Sequence, residues 1–140
     1  MPLEIRPYAV TDIIECDYPI EYDWPNVPDD IAVKVLVDAG KTGKVHGFIS
    51  FRFLHGGLIL EIQKLGFRQD TPQIAGAVAK SLITYVLKRA FSSPAQAVTA
   101  TVSETDDIRI KIYSGMGFES RIIKATSNDF IEFRKDIVRR

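Results

Sequence analysis

Two stretches of this chain carry residue types that could do chemistry. The first is Gln73-Ile74-Ala75-Gly76-Ala77-Val78, where a strand-like run ending at Phe67 passes through a short loop into a helical pattern. A helix N-terminus presents unpaired amide N–H groups and about half a positive charge. Small residues in the first turn let a ligand reach that backbone, so the stretch offers a place for a pyrophosphate. The blander reading of the same residues is close helix–sheet packing. The second stretch is the segment 11–30. It holds Asp12, Glu15, Asp17, Glu21, Asp23, Asp29 and Asp30, with Tyr18, Tyr22 and Trp24 among them and no Lys or Arg. Carboxylates interleaved with aromatics favour a cationic partner through charge attraction and cation–π contact. The ordinary alternative is a solvated acidic loop.

Other candidates fall away on inspection. Gly40-Lys41-Thr42 looks like the end of a phosphate-binding loop, but that motif needs a glycine at position 35, which is Val35, and a strand-to-helix junction. Gly115-Met116-Gly117 lies at a helix end, where the dipole has the wrong sign for an anion. His46 and His55 sit in or beside turns without a third ligand nearby in sequence, so no metal site is expected. A single cysteine, Cys16, excludes an internal disulfide framework.

The elements that must position the two stretches follow from hydrophobic period. Residues 3–10 suit an edge strand, with Pro7 unfit for an interior one. The prolines Pro19, Pro25 and Pro28 leave room for a turn or two of helix near 11–16. Residues 31–38, 45–54 and 58–67 are three strands joined by short turns, an antiparallel meander. From Gln73 to about Phe91 apolar residues recur at 74, 75, 78, 82, 85 and 86, a helical period, with Pro72 suited to the first turn. Residues 97–102 are a strand. Glu104 to about Gly115 is a second helix with Ile108, Ile112 and Tyr113 inward, and 118–126 and 129–137 close the chain as two strands. The class is mixed α+β.

Composition bounds the rest. With 140 residues, 46% of them hydrophobic, the chain fits one domain over 1–140 with a real core. Its 18 basic and 18 acidic residues cancel, which argues against a dedicated nucleic-acid binder. No apolar run reaches bilayer-spanning length and the N-terminus does not read as a signal peptide, so a cytoplasmic location is expected. Exposed edge strands favour a homodimer.

The run Ile112-Tyr113-Ser114-Gly115-Met116-Gly117-Phe118, closing one helix and opening a strand, adds a second motif to the 73–78 stretch. Together with the element order, these residues resemble the GNAT acyl-CoA N-acyltransferase superfamily. Its signature Gln/Arg-x-x-Gly-x-Gly/Ala falls on 73–78. The resemblance implies a mixed sheet of about seven strands with helices packed on it, and acetyl-CoA as co-substrate. The coenzyme would be held by Leu65, Phe67, Gln73, Ile74, Ala75, Gly76, Ala77, Val78 and Asp106. Its pantetheine arm would pair like an extra strand between 58–67 and 97–102, which splay apart in this family. Tyr113 would protonate the leaving thiolate. Glu61, twelve residues before Gln73, would be the general base, because only a neutral amine attacks a thioester. The amine would meet Asp17, Tyr18, Glu21, Tyr22, Asp23 and Trp24; a lysine side chain, a polyamine or an amino-sugar all qualify.

Several departures mark a divergent member. Val78 stands where the signature has Gly or Ala, and its branched side chain would crowd the phosphates. Asp106 and Arg109 stand where an Asn and a small residue are usual. The segment that supplies two substrate-binding helices in typical members is cut down to the acidic 11–30. The same departures fit a chain that has kept the fold without catalysis, as a structural or interaction module such as a component of a phage virion.

Overall fold

A computed structural model of the chain describes residues 3–8, 13–14, 30–38, 44–67, 72–124 and 129–139. Ten regular elements follow in order: β1 (Leu3–Pro7), β2 (Ile13–Ile14), β3 (Ala32–Asp38), β4 (Lys44–Leu54), β5 (Ile59–Phe67), α1 (Pro72–Phe91), β6 (Ala97–Ser103), α2 (Asp107–Gly115), β7 (Glu119–Lys124) and β8 (Asp129–Asp136). Seven strands form one mixed sheet in the order β1-β3-β4-β5-β6-β8-β7, and β2 pairs with β4. The meander expected for 31–67 is β3-β4-β5, all antiparallel. Its second turn is tight because His55, Gly56 and Gly57 all take positive φ, which glycine adopts without steric cost. The β5-α1-β6 unit then makes the sheet's parallel crossover.

The main core lies between α1 and the sheet. Ala75, Val78, Leu82 and Val86 are buried along one face of α1, against Ile49, Phe51, Leu60 and Leu65. Tyr85, expected on that face, is half-buried at its edge. Close approach is built in at Gly47, where a Cβ would sit 2.6 Å from a Val78 methyl, and at Gly66, where it would overlap the Phe48 ring. On the opposite face Val35, Val37, Val45 and Phe48 form a second, smaller buried cluster with Tyr8 against it. No helix among the described residues is long and apolar enough to cross a membrane.

Three expectations are corrected. Ile13–Ile14, where the sequence leaves room for at most a turn or two of helix, is a short strand running parallel to Lys44 and Val45. Because β3 occupies one side of Val45 and β5 pairs with β4 only from Gly47 onward, β2 takes the side that β5 leaves free beyond Phe67. Two β-branched residues gain ladder bonds there that an isolated helical turn could not supply. Second, α2 begins at Asp107 rather than Glu104, because Asp106 caps it by accepting the Arg109 amide N–H at 3.2 Å. Third, Ile108 is 47% exposed while Arg109 is only 5% exposed. The inward stripe of α2 is therefore Arg109, Ile112 and Tyr113, at i, i+3 and i+4.

Candidate functional site

Helix α1 begins at Pro72, shortly after the end of β5. Pro72 has no amide hydrogen, so the first-turn donors without an intrahelical acceptor belong to Gln73 and Ile74. No acidic residue stands in that turn, and Lys88 and Arg89 sit in the last one. Within the helix itself the dipole is matched by charge in the last turn, and the first turn carries no acidic side chain. Gly76 has no packing reason to be glycine: a Cβ there would meet nothing within 4 Å. A glycine inside a helix costs about 0.5–1 kcal/mol relative to alanine. That cost is explained if the open surface beside Gly76 and the exposed Ala77 serves a ligand. Ala75 and Val78 point the other way, into the core. Val78 is 2% exposed and packs beside Gly47, so the crowding expected from its branched side chain does not arise.

Beside this helix end the sheet comes apart. Strands β5 and β6 pair from Ile59↔Ala97 to Ile62↔Ala100 and no further, although β6 stays paired with β8 as far as Ser103↔Phe130. The cause is a bulge in β5. Ser50 pairs with Lys64 and Phe51 with Ile62, so Gln63 is an extra residue with no partner on β4. The bulge changes which residues face α1, from Leu60 and Ile62 before it to Leu65 and Phe67 after it.

The gap is occupied by α2. Arg109 donates from Nε (3.0 Å) and Nη2 (2.5 Å) to the Leu65 carbonyl oxygen, beyond the last β5–β6 pair. Its Nη1 pairs with Asp106 at 3.1 Å, and the guanidinium lies over the Phe67 ring, 4.6 Å from its centre. One turn later Tyr113 reaches the same place. It is 1% exposed, stacked on Phe133 (ring centres 5.4 Å apart) with Phe118 edge-on (5.2 Å). Gln63, Leu65, Thr101, Val102, Arg109 and Tyr113 line a cavity of about 10 Å³, room for one water at most.

Of the residues singled out by sequence, the fold gathers Leu65, Phe67, Asp106 and Tyr113 around this gap, with the 73–77 backbone at the adjoining helix end. Glu61 stands apart. It lies in the paired part of β5, opposite Arg52 and Thr99, and does not line the cavity. Its carboxylate accepts from Arg52 Nε at 3.3 Å and from the Gln63 side-chain amide, and Arg52 also approaches Asp30 at 3.8 Å. Asp17, Tyr18, Glu21, Tyr22, Asp23 and Trp24 lie outside the described residues. Arg109 is the site residue that sequence reasoning missed, noted only as an unusual side chain for its position. A larger hollow of about 430 Å³, lined by Phe53, Gly56, Arg89 and Ser93, lies at the opposite end of α1.

No protein-family model matches the chain, and no curated protein does. Solved structures do match. NAA60 of Arabidopsis thaliana in complex with acetyl-CoA superimposes with a TM-score of 0.77 at 19% identity, covering 97% of this chain and 99% of that one. The same protein with a bisubstrate analogue gives 0.75 at 21% identity, covering 96% and 98%. The aminoglycoside 6'-N-acetyltransferase from Enterococcus faecium gives 0.64 at 15% identity, covering 79% and 75%. A putative acetyltransferase of the GNAT family from Desulfovibrio desulfuricans gives 0.64 at 13% identity, covering 76% and 69%. Bulged β5, its separation from β6 and the helix that starts beside them thus belong to a chain that is divergent in sequence and has the GNAT fold.

Proposed function

We propose that this chain is an N-acetyltransferase that moves an acetyl group from acetyl-CoA to a primary amine. The observation that carries the proposal is the α1 N-terminus with Gly76, where a Cβ would meet nothing within 4 Å among the described residues, set beside a gap in the sheet that Tyr113 lines. The amides of Gln73 and Ile74 bind the pyrophosphate, and Gly76 and Ala77 let it approach. The edge of β5 beyond Gln63, which β6 does not pair, offers its backbone to the amides of the pantetheine arm in place of the Arg109 contact at the Leu65 carbonyl. Acetyl-CoA supplies a thioester carbonyl that an amine nitrogen attacks, so that a C–N bond forms as the C–S bond breaks. Tyr113 gives its proton to the departing sulfur. Glu61 takes the proton from the amine through water, since it lies outside the cavity itself.

The substrate in this reading is a cationic amine held by the acidic 11–30 segment. Two findings support that. Strand β2 lies beside the end of β5, so it brings the segment's start to the end of the sheet from which α1 departs. One similar structure is an aminoglycoside acetyltransferase, acting on an amino-sugar. The test is CoA thiol release and product mass on a panel of polyamines, amino-sugars and lysine peptides with acetyl-CoA present. A mass gain of one acetyl group on at least one amine is expected. No thiol release with any of them, at millimolar acetyl-CoA, contradicts the activity.

A second reading, that the chain is a GNAT-fold interaction module without catalysis, is favoured by one observation. Arg109 fills the gap that the pantetheine arm needs.

A further inference from the structure

We propose that Arg109 is a latch on the coenzyme channel, closed in the free protein and displaced when the pantetheine arm enters. The inference rests on the acetyltransferase reading and concerns how its site is opened. Three features of the residue point to it.

First, its partner is the group the arm requires. Beyond the Gln63 bulge, the Leu65 carbonyl faces the gap as an acceptor that β6 does not use. Arg109 saturates that oxygen with two donors. An amide N–H of an arm running along β5 has to compete for the same oxygen, and the cavity left beside it holds no more than a water. Arm and guanidinium therefore exclude one another.

Second, the position is one that stability alone would give to an apolar residue. Arg109 shares the buried stripe of α2 with Ile112 and Tyr113. A guanidinium there must be desolvated and then re-bonded to be tolerated. Part of that re-bonding is to the Leu65 carbonyl, on the stretch of β5 that β6 does not pair, so the contact spans the gap between the two strands.

Third, the residue carries its own means of release. Nη1 holds Asp106, the cap of α2, whose side chain is 23% exposed against 6% for Arg109. When the two bonds to Leu65 break, the ion pair can persist as the guanidinium turns outward, so the charge is never left buried and unpaired. Stacking over Phe67 is lost with the same motion, and that ring face becomes a wall for the arm.

A latch of this kind lowers the apparent affinity by the fraction of molecules that are open. The test compares acetyl-CoA with ADP, which has the pyrophosphate but no arm, by titration calorimetry on the whole protein. Arg109→Met keeps much of the side-chain volume and removes the donors. It is expected to bind acetyl-CoA about tenfold more tightly than wild type, with ADP affinity changed less than twofold. Arg109→Lys keeps the charge but loses the two-donor fork, and is expected to gain about threefold; it serves if the Met variant does not fold.

Wild type binding acetyl-CoA while both variants bind it equally or more weakly overturns the latch and leaves the acetyltransferase reading standing. Equal gains for ADP and acetyl-CoA also overturn it, because the effect would then lie at the helix end. Binding of acetyl-CoA by neither wild type nor variants removes the latch together with the coenzyme reading.

Discussion

The two halves of the candidate coenzyme site are built in opposite ways. At the α1 N-terminus the chain leaves space: a Cβ on Gly76 would meet nothing within 4 Å among the described residues, and Val78, which the signature would place against the phosphates, is turned into the core. Between β5 and β6 the chain removes space, by placing Arg109 where neighbouring positions of the helix are apolar. Each half departs from what stability would select, one by a helical glycine and the other by a buried guanidinium. A helix N-terminus offers its amide donors to an anion directly. A channel closed by Arg109, as proposed above, is ready only when something competes for the Leu65 carbonyl. The contrast separates recognition of the phosphates from admission of the arm, and the two are open to separate measurement.

The sharpest way to divide the halves is at Tyr113. It lines the gap and has no part at the helix end, so Tyr113→Phe is expected to lower kcat about a hundredfold, in the usual range for a lost proton donor. The acetyl-CoA Kd should stay within twofold, as read by calorimetry alongside steady-state kinetics. A Kd that rises in step with the loss of kcat would mean that the ring shapes the channel and does not supply a proton.

A smaller effect is expected from the acidic segment. Neutralising it in Asp17→Asn/Glu21→Gln/Asp23→Asn should raise the amine KM about tenfold, or about 1.4 kcal/mol, with acetyl-CoA affinity unchanged. The effect should shrink at high salt if it is an attraction between exposed charges. Unaltered kinetics would take the segment out of the substrate site.

The smallest effect concerns the glycine itself. Gly76→Ala should raise stability by about 0.5–1 kcal/mol in denaturant unfolding, since the new methyl meets nothing and a helical residue gains propensity. Destabilisation would show that Gly76 is there for the fold and would remove the contrast between the halves.

Much of the architecture is legible in the residues. Ala75, Val78, Leu82 and Val86 recur at helical period and all lie in the core under α1; Leu60 and Ile62, then Leu65 and Phe67, alternate as a half-buried strand should. The break in that alternation between Ile62 and Leu65 is itself the sequence trace of the bulge, readable only once a bulge is looked for. Arg109 was not legible for a different reason. A charged side chain in a short helix reads as solvent-facing, so Ile108 seemed the better inward residue. What makes burial tolerable is a carbonyl 44 residues away in sequence, a non-local contact that no periodicity reports. The strand at Ile13–Ile14 was hidden by the same kind of cause, since two residues set among acids have no pattern of their own and become a strand only by pairing with Lys44 and Val45.

The central claim is that the helix end at Gly76 holds the pyrophosphate of acetyl-CoA, and thermal unfolding of wild type and Gly76→Glu, with and without the coenzyme, tests it most directly. At a concentration 100 times its Kd a ligand adds about 2.7 kcal/mol to native stability, which for a domain of this size is a rise in Tm of roughly 5 to 15 °C. Wild type should show that rise. Gly76→Glu should unfold close to the wild-type temperature without ligand, since the first atom of the new side chain meets nothing within 4 Å among the described residues, and show almost no rise with it, because a carboxylate at the helix end repels the phosphates. No rise for wild type at millimolar acetyl-CoA, or an equal rise for both proteins, would contradict the assignment.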